Sequence, residues 1–266
     1  MKPTVFDGYT FAGEKEKVLK VEIKKLKTAP KLVSILVGSD PASLLYSKLK
    51  QKAARRVGVK FLIHKLKDTE EFQKIIELIK ELNEDKSVNG IMVQLPLPKR
   101  LESKTNTILN SIAKEKDVDG LTKNSPFTAA AVKAIRNIVE YATKDLSYFG
   151  KKAAVIGASG VVGRAAVKEL EKMGYKVTEC DINTRDLYQK LTGVDLIVSA
   201  TGSAGLIKSE MVKEGVIAID VGAPRGDFDK KVAKKASFTT PVPGGVGPVT
   251  IVSLLENLAE AVYNSR

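Results

Sequence analysis

Apolar and polar positions alternate in blocks along the first hundred residues. Residues 32–37, 60–64 and 91–95 are short apolar-rich runs, and Pro96 and Pro98 stop the third. Runs of this length read as strands of a buried sheet. Between them, Leu45, Leu49, Ala53 and Val57 recur at helical spacing, and residues 70–82 predict a second helix. Asp40 and Pro41 open the first helix as N-cap and first helical residue. Strand, helix, strand, helix, strand implies parallel strands joined by right-handed crossovers.

The pattern loosens from residue 110 to 125, then restarts. Residues 129–141 predict a helix that bridges into a second domain, and 146–152 a turn, with the hinge near 119–126. Strand 153–156, helix 162–173 and strands 176–180, 196–199 and 216–220 follow. Residues 251–262 close the chain as a helix with apolar positions at i, i+3 and i+4. There is no repeat of solenoid length. The fold class expected is α/β with two domains, each a parallel sheet flanked by helices, the second Rossmann-like.

Composition narrows the chemistry. The 266 residues suffice for two modest domains, each with its own core. No apolar run is long enough for a membrane span, and the N-terminus has no apolar signal region, so the expectation is a cytoplasmic protein. One cysteine, Cys180, and one histidine, His64, cannot build a His/Cys metal site, and no metal is expected. Cys180 is expected to pack in a strand, and His64 to be structural. The net charge of +13 is spread among acids along the chain rather than gathered on one element. That argues against nucleic-acid binding and leaves attraction of an anionic small molecule.

The segment AAVIGASGVVGRAAVKEL is strand, glycine turn, helix. Gly157, Gly160 and Gly163 are three apart, so Ser159 stands where the dinucleotide fingerprint has its middle glycine. Gly157 can make the tight turn, Gly160 admits a pyrophosphate, and Gly163 lets the helix pack on the sheet. The helix start, with Ala158, Ser159, Val162 and Arg164, offers amides to phosphate. Asp181, 24 residues after Gly157, stands where an acid takes ribose hydroxyls in NAD sites. Arg164, Thr184 and Arg185 could instead hold a 2′-phosphate, so NAD and NADP both stay open. Ala200, Thr201 and Gly202 in VSATGSAG, and Gly222 after a later strand, fall where parallel strands offer a ligand crevice. PVPGGVGPVT, residues 241–250, reads as a stiff loop walling a ligand.

In the first half, Tyr46 and Lys50 share a helix face. They lie one step round from the Leu45/Leu49 stripe. Gln94 ends the third strand, and Asp119 sits in the turn KDVDGLT. Together, VGSDPASLLYSKLK, GIMVQLPLP, KDVDGLT and PVPGGVGPVT resemble the signature segments of the bifunctional methylenetetrahydrofolate dehydrogenase/methenyltetrahydrofolate cyclohydrolase family, in that family's order over nearly the whole chain. The resemblance implies oxidation of methylenetetrahydrofolate by a nicotinamide dinucleotide and hydrolysis of the methenyl product, in a cleft between the domains. It implies that Lys50 is the acid/base for the water chemistry, Tyr46 stacks near the folate and orients the lysine, Gln94 meets lysine and substrate, and Asp119 grips the pterin.

By the same resemblance, Leu95, Pro96, Pro243, Gly244 and Gly245 line the folate, and Thr250 the dinucleotide. A homodimer built through the dinucleotide domains is also implied. The domains expected are 1–125 for folate and 126–247 for the dinucleotide, with helix 248–266 packing back on the first. Of three departures, the first two bear on the cofactor and the third only on a local helix start. Ala158 replaces the family's phosphate-binding arginine, Asp181-Ile182 replaces a histidine-serine pair, and TAAA at 128–131 replaces TPxG. NADP is the cofactor expected, with NAD as the alternative. Two other readings differ in kind: a dehydrogenase of a small carboxylic acid, and a dinucleotide-sensing DNA-binding regulator, for which no helix-turn-helix is legible.

Overall fold

The computed structural model describes residues 3–144 and 152–265. Along the chain run β1 (Thr4–Val5), α1 (Gly8–Lys24), β2 (Lys31–Val37), α2 (Pro41–Val57), β3 (Lys60–Leu66), α3 (Phe72–Glu84), β4 (Gly90–Val93) and α4 (Thr105–Asn110). Then come α5 (Ala130–Thr143), β5 (Lys152–Ile156), α6 (Val161–Lys172), β6 (Lys176–Cys180), α7 (Leu187–Leu191) and β7 (Leu196–Ser199). The last are β8 (Ile217–Asp220), α8 (Val232–Lys235), β9 (Phe238–Thr239) and α9 (Val246–Asn264). The turn expected at 146–152 lies outside the described residues, except for Lys152, which opens β5.

The chain divides into two units. One comprises Gly13–Ala130 and Ile251–Arg266, the other Met1–Ala12 and Ala131–Thr250. The first holds a parallel sheet of order β3-β2-β4. Alternation along its strands sends Val33, Ile35, Val37, Ile91 and Val93 to one face, where Ile75 and Ile79 of α3 and Ile108 and Leu109 of α4 cover them. Leu32, Leu36 and Met92 point the other way and are equally buried. On that face a Cβ at Gly90 would lie 2.8 Å from Leu258 of α9, so the glycine lets the C-terminal helix come close.

The second unit holds a six-stranded parallel sheet of order β1-β9-β8-β7-β5-β6. Its two faces are two separate cores. Ala153, Val155, Leu196, Val198, Ile217 and Ile219 meet α5 and α6 on one side. Ala154, Ile156, Ile197 and Ala218 meet α7 and α8 on the other. Cys180 is free, buried on this second face, and its thiol is pushed up by burial. The N-terminal β1 pairs with β9, Thr4 beside Phe238, and so joins the second unit's sheet. No periodicity in a two-residue strand foretells that pairing.

Candidate active site

In both sheets the chain leaves a central strand to one side and returns on the other. The switch lies between β2 and β4 in the first unit and between β5 and β7 in the second. Ligands of open parallel sheets sit outside the carboxyl ends of the strands at such points.

Gln94 follows β4 at the first switch and continues its ladder, donating its amide to Ile35 O at 2.8 Å. Its side chain is buried, and both ends are engaged. Nε2 donates to Leu95 O at 2.7 Å, which leaves Oε1 to accept from Lys50 Nζ at 2.8 Å. Lys50 comes from α2, which opens as expected with Asp40 accepting from Ser43 N at 2.7 Å and Pro41 at its start. The helix closes at Gly58, whose φ of 91° is the left-handed cap.

The expected stripe on α2 needs correction. Leu45 is 57% exposed. Leu49 is half-buried, while Ala53 and Val57 of that stripe are buried as expected; beside them Ser43, Ser47 and Ala54 form a second buried row, in whose i, i+4, i+7, i+11 series Lys50 takes the third step. Small serines let the helix lie close to the sheet, so its core face reads as polar. The lysine is therefore half-buried, and burial holds its pKa below the ordinary value, with the charge of Asp119 opposing. Tyr46, one turn earlier, is half-buried on the same side.

Asp119 reaches Lys50 electrostatically, and burial raises its pKa while the lysine lowers it. Its loop is built by neighbours the sequence reading passed over. The buried Asp117 carboxylate accepts from the amides of Gly120, Leu121 and Thr122 at 3.2, 3.3 and 2.8 Å. Gly120 has a φ of 72°, and a Cβ there would lie 2.6 Å from Ala129 Cα. Asn257 of α9 donates through Nδ2 to Val118 O and Thr128 O, both at 2.9 Å. Asn257→Leu strands both carbonyls in a buried place. We expect it to lower stability by roughly 2–4 kcal/mol. Urea unfolding checks this, and an unchanged midpoint would show that these bonds do not hold the loop.

In the second unit the glycine turn has the geometry read from sequence. Gly157 has a φ of 83°, and a Cβ on it would lie 2.6 Å from Ala200 O, at the β5/β7 switch. A Cβ on Gly163 would overlap Gly157 O, so α6 packs on the turn only with glycine there. Ser159, Gly160 and Arg164 are exposed at the start of α6, where first-turn amides lack helical partners. Ala158 turns its methyl into the core, and its N–H donates to Cys180 O at 3.0 Å. The Asp181 carboxylate accepts from Asn183 N at 2.9 Å, and Thr184 Oγ1 accepts from Asp181 N at 2.8 Å, closing a turn after β6. This strand–turn–helix suits a dinucleotide: the crowding glycines fix the turn, and the start of α6 is open to a phosphate.

Ala200, Thr201 and Gly202 follow β7, and Gly222 lies two residues beyond β8, in the same unit. Pro243, Gly244 and Gly245 also belong to it. Gly244 O accepts from Gly8 N at 3.0 Å, and Gly245 N donates to Pro241 O at 2.8 Å. The expected ten-residue loop is shorter than read, because α9 begins at Val246. Pro248 fits inside its first turn, where a missing N–H costs nothing. Thr250 bonds back to Val246 O at 3.1 Å. Val162 is half-buried on α6, Leu95 is half-buried, and Pro96, joined to it by a cis peptide, is exposed. His64 is exposed on β3, an edge strand, rather than packed in a core.

Residues 6–119 match the model of the tetrahydrofolate dehydrogenase/cyclohydrolase catalytic domain, and residues 126–266 that of the NAD(P)-binding domain of the same family. The bifunctional protein FolD of Campylobacter jejuni is 40% identical over 282 residues, covering 98% of this chain and 99% of that protein. The crystal structure of a C. jejuni FolD, a methylenetetrahydrofolate dehydrogenase/cyclohydrolase, superposes with a TM-score of 0.91 at 39% identity, covering 99% of each chain. A Trypanosoma brucei FolD, solved with NADP and an inhibitor, does so at 0.91 with 29% identity, covering 100% of this chain and 99% of that one. The chain belongs to the tetrahydrofolate dehydrogenase/cyclohydrolase family.

Proposed function

We infer that this chain oxidises 5,10-methylenetetrahydrofolate to the 5,10-methenyl cation with NADP and then hydrolyses the cation to 10-formyltetrahydrofolate. The observation that carries the reading is the 2.8 Å bond from a half-buried Lys50 to Gln94 at the strand switch. Hydration of the methenyl carbon needs a base for the proton of water, and a lysine held below its ordinary pKa is neutral at lower pH than a free one. Gln94 Oε1 takes one Nζ hydrogen and so fixes the direction of the lone pair. The cationic substrate further disfavours a protonated lysine beside it. Asp119, on its tied loop, holds the pterin, Tyr46 packs beside the folate ring, and Leu95 and Pro96 complete that wall. Pro243, Gly244 and Gly245 contribute backbone to the folate as well.

The dinucleotide, when bound, accepts the hydride; the adjacent nitrogen lone pairs stabilise the cation, so the chain's task in that step is mainly orientation. Gly157 through Arg164 at the start of α6, the turn at 200–202, Gly222 and Thr250 are the residues for it. Asp181 and Thr184 stand at its ribose. This reading takes the chain as a cytoplasmic homodimer joined through the dinucleotide domains, with residues 1–125 as the folate domain and 126–247 as the dinucleotide domain. Helix 248–266 serves the first of these.

NADP is the cofactor of this reading, with Arg164 or Arg185 replacing the arginine that Ala158 displaces. Both arginines are exposed. A charge-assisted bond to a phosphate contributes about 1.5–3 kcal/mol, so removing the responsible arginine should raise the KM for NADP by about ten-fold or more and leave that for NAD unchanged. The test is a coupled absorbance assay with methylenetetrahydrofolate and each cofactor, on wild type and on Arg164→Ala and Arg185→Ala. A clear wild-type preference for NAD would sink the NADP assignment and give the ribose to Asp181. Reduction of neither cofactor would sink the dehydrogenase itself.

A further inference from the structure

The turn after β8 carries two buried carboxylates that neither step uses. Asp220 ends β8 and is 4% exposed; Asp227, seven residues on, is 0% exposed. Asp220 is satisfied by its own loop. Its Oδ1 accepts from Gly222 N at 2.9 Å and Asp227 N at 3.1 Å, and its Oδ2 from Phe228 N at 3.1 Å. Asp227 instead reaches to a different strand. Its Oδ2 accepts from Ser199 Oγ at 2.7 Å and from Thr201 N at 2.8 Å. Its Oδ1 is buried with no hydrogen-bond partner.

That arrangement is costly, because an unsatisfied buried acceptor keeps its full desolvation penalty. It is also tightly determined. A Cβ on Gly222 would overlap Asp227 Oδ1, and one on Gly226 would come 2.7 Å from Asp220 Oδ2. Both glycines therefore serve to bring the two carboxylates into the turn. The two donors that Asp227 holds bracket Ala200. Ser199 is the last residue of β7, and Thr201 begins the departure from the sheet. Ala200 O in turn crowds Gly157, lying 2.6 Å from where a Cβ would be. The direction in which residues 200–202 leave β7 thus depends on Asp227.

We propose that Asp227 is a positioning residue for the dinucleotide, holding Ser199 and Thr201 so that the turn at 200–202 stands against Gly157, with Asp220 gathering the loop behind it. The proposal rests on reading the six-stranded unit as the dinucleotide site. Its reach is limited to one of the two activities, because hydrolysis of the methenyl substrate consumes no dinucleotide.

The test uses full-length Asp227→Asn and Ser199→Ala. Affinity is read by titrating reduced dinucleotide, and hydrolysis is read on the same preparations with 5,10-methenyltetrahydrofolate added directly. Asparagine keeps the shape of Asp227 but presents an amide either to the two donors or to Gly222, so binding should weaken by about ten-fold or more. Ser199→Ala removes one donor of two and should weaken it about three-fold. In both, the KM for the dinucleotide rises, kcat at saturation holds, and hydrolysis stays within about two-fold of wild type. Unchanged dinucleotide affinity in both variants overturns the proposal. So does a parallel loss of affinity and hydrolysis in Ser199→Ala, which would mark a general structural role. Should Asp227→Asn fail to fold, Ser199→Ala decides alone by the same readings. Wild-type protein that binds neither NADP nor NAD refutes the underlying reading instead.

Discussion

Lys50→Met abolishes hydrolysis of methenyltetrahydrofolate, by about 10²–10⁴-fold, the range attributed to a positioned acid or base. Formation of reduced dinucleotide from methylenetetrahydrofolate falls far less, since that step moves no proton through the lysine. Methionine has nearly the length of lysine and belongs in the row that Lys50 occupies between Ser47 and Ala54 on the core face of α2. The substitution strands Gln94 Oε1, at a cost of about 1–3 kcal/mol, but also removes a desolvated ammonium. The fold should therefore survive, and loss of hydrolysis alone can be read as loss of the base.

The pH dependence follows from the same group. Burial lowers the pKa of Lys50, and in the proposed mechanism the reactive form is the neutral amine. Hydrolysis by wild type should rise with pH through that lowered pKa and level off above it. Lys50→Arg keeps a positive charge that proteins do not remove and should be inactive across the range. The assay is the decay of methenyl absorbance as a function of pH. A flat wild-type profile, or a methionine variant that hydrolyses at the wild-type rate, would move the water chemistry to another residue.

What could be read from the residues alone was whatever depends on near neighbours. Asp40-Pro41 marked the start of α2 because a cap acts within one turn. The spacing of Gly157 and Gly163 is legible as strand–turn–helix because a Cβ on Gly163 would overlap the carbonyl of Gly157 itself, a contact six residues apart in the chain. The βαβαβ order of the first half needed only alternation and period. Features that depend on distant partners were not legible. Ser43 and Ser47 look solvent-facing until a sheet lies against them. Asn257 is 139 residues from Val118, and Asp227 is 28 from Ser199. The helix α1 carries Gly8 and Gly13, which weaken its signal. Gly8 is needed because a Cβ there would overlap Gly245 O, a residue more than 200 positions away. Asp119 stands out through its motif, while Asp117, whose carboxylate ties the loop, does not, because both are turn-forming acids in one short segment.

Gly157→Ala should damage the second unit through both backbone strain and crowding. The left-handed conformation at φ 83° costs a non-glycine residue about 1–2 kcal/mol by itself. The added Cβ also meets Ala200 O at 2.6 Å, and that neighbour is backbone, so no flexible side chain can yield. Moving Ala200 would pull on its hydrogen bond to Ile156 O at 2.9 Å and on the Thr201 amide held by Asp227. We expect a loss of roughly 2–4 kcal/mol in unfolding free energy and a fall of about a hundred-fold in dinucleotide affinity. Gly160→Ala is the informative partner. Its φ of −73° suits any residue, and its Cβ would lie 3.2 Å from Gly157 O, a tight contact that a shift of a few tenths of an ångström relieves, so the loss of stability should be much smaller than at Gly157. If a pyrophosphate approaches that backbone, dinucleotide binding should weaken all the same. Thermal unfolding and dinucleotide titration of both variants separate the two roles. A Gly157→Ala protein with wild-type melting and affinity would mean that β5 and β7 can part without harm at the switch, and the turn would then not be the seat of the cofactor.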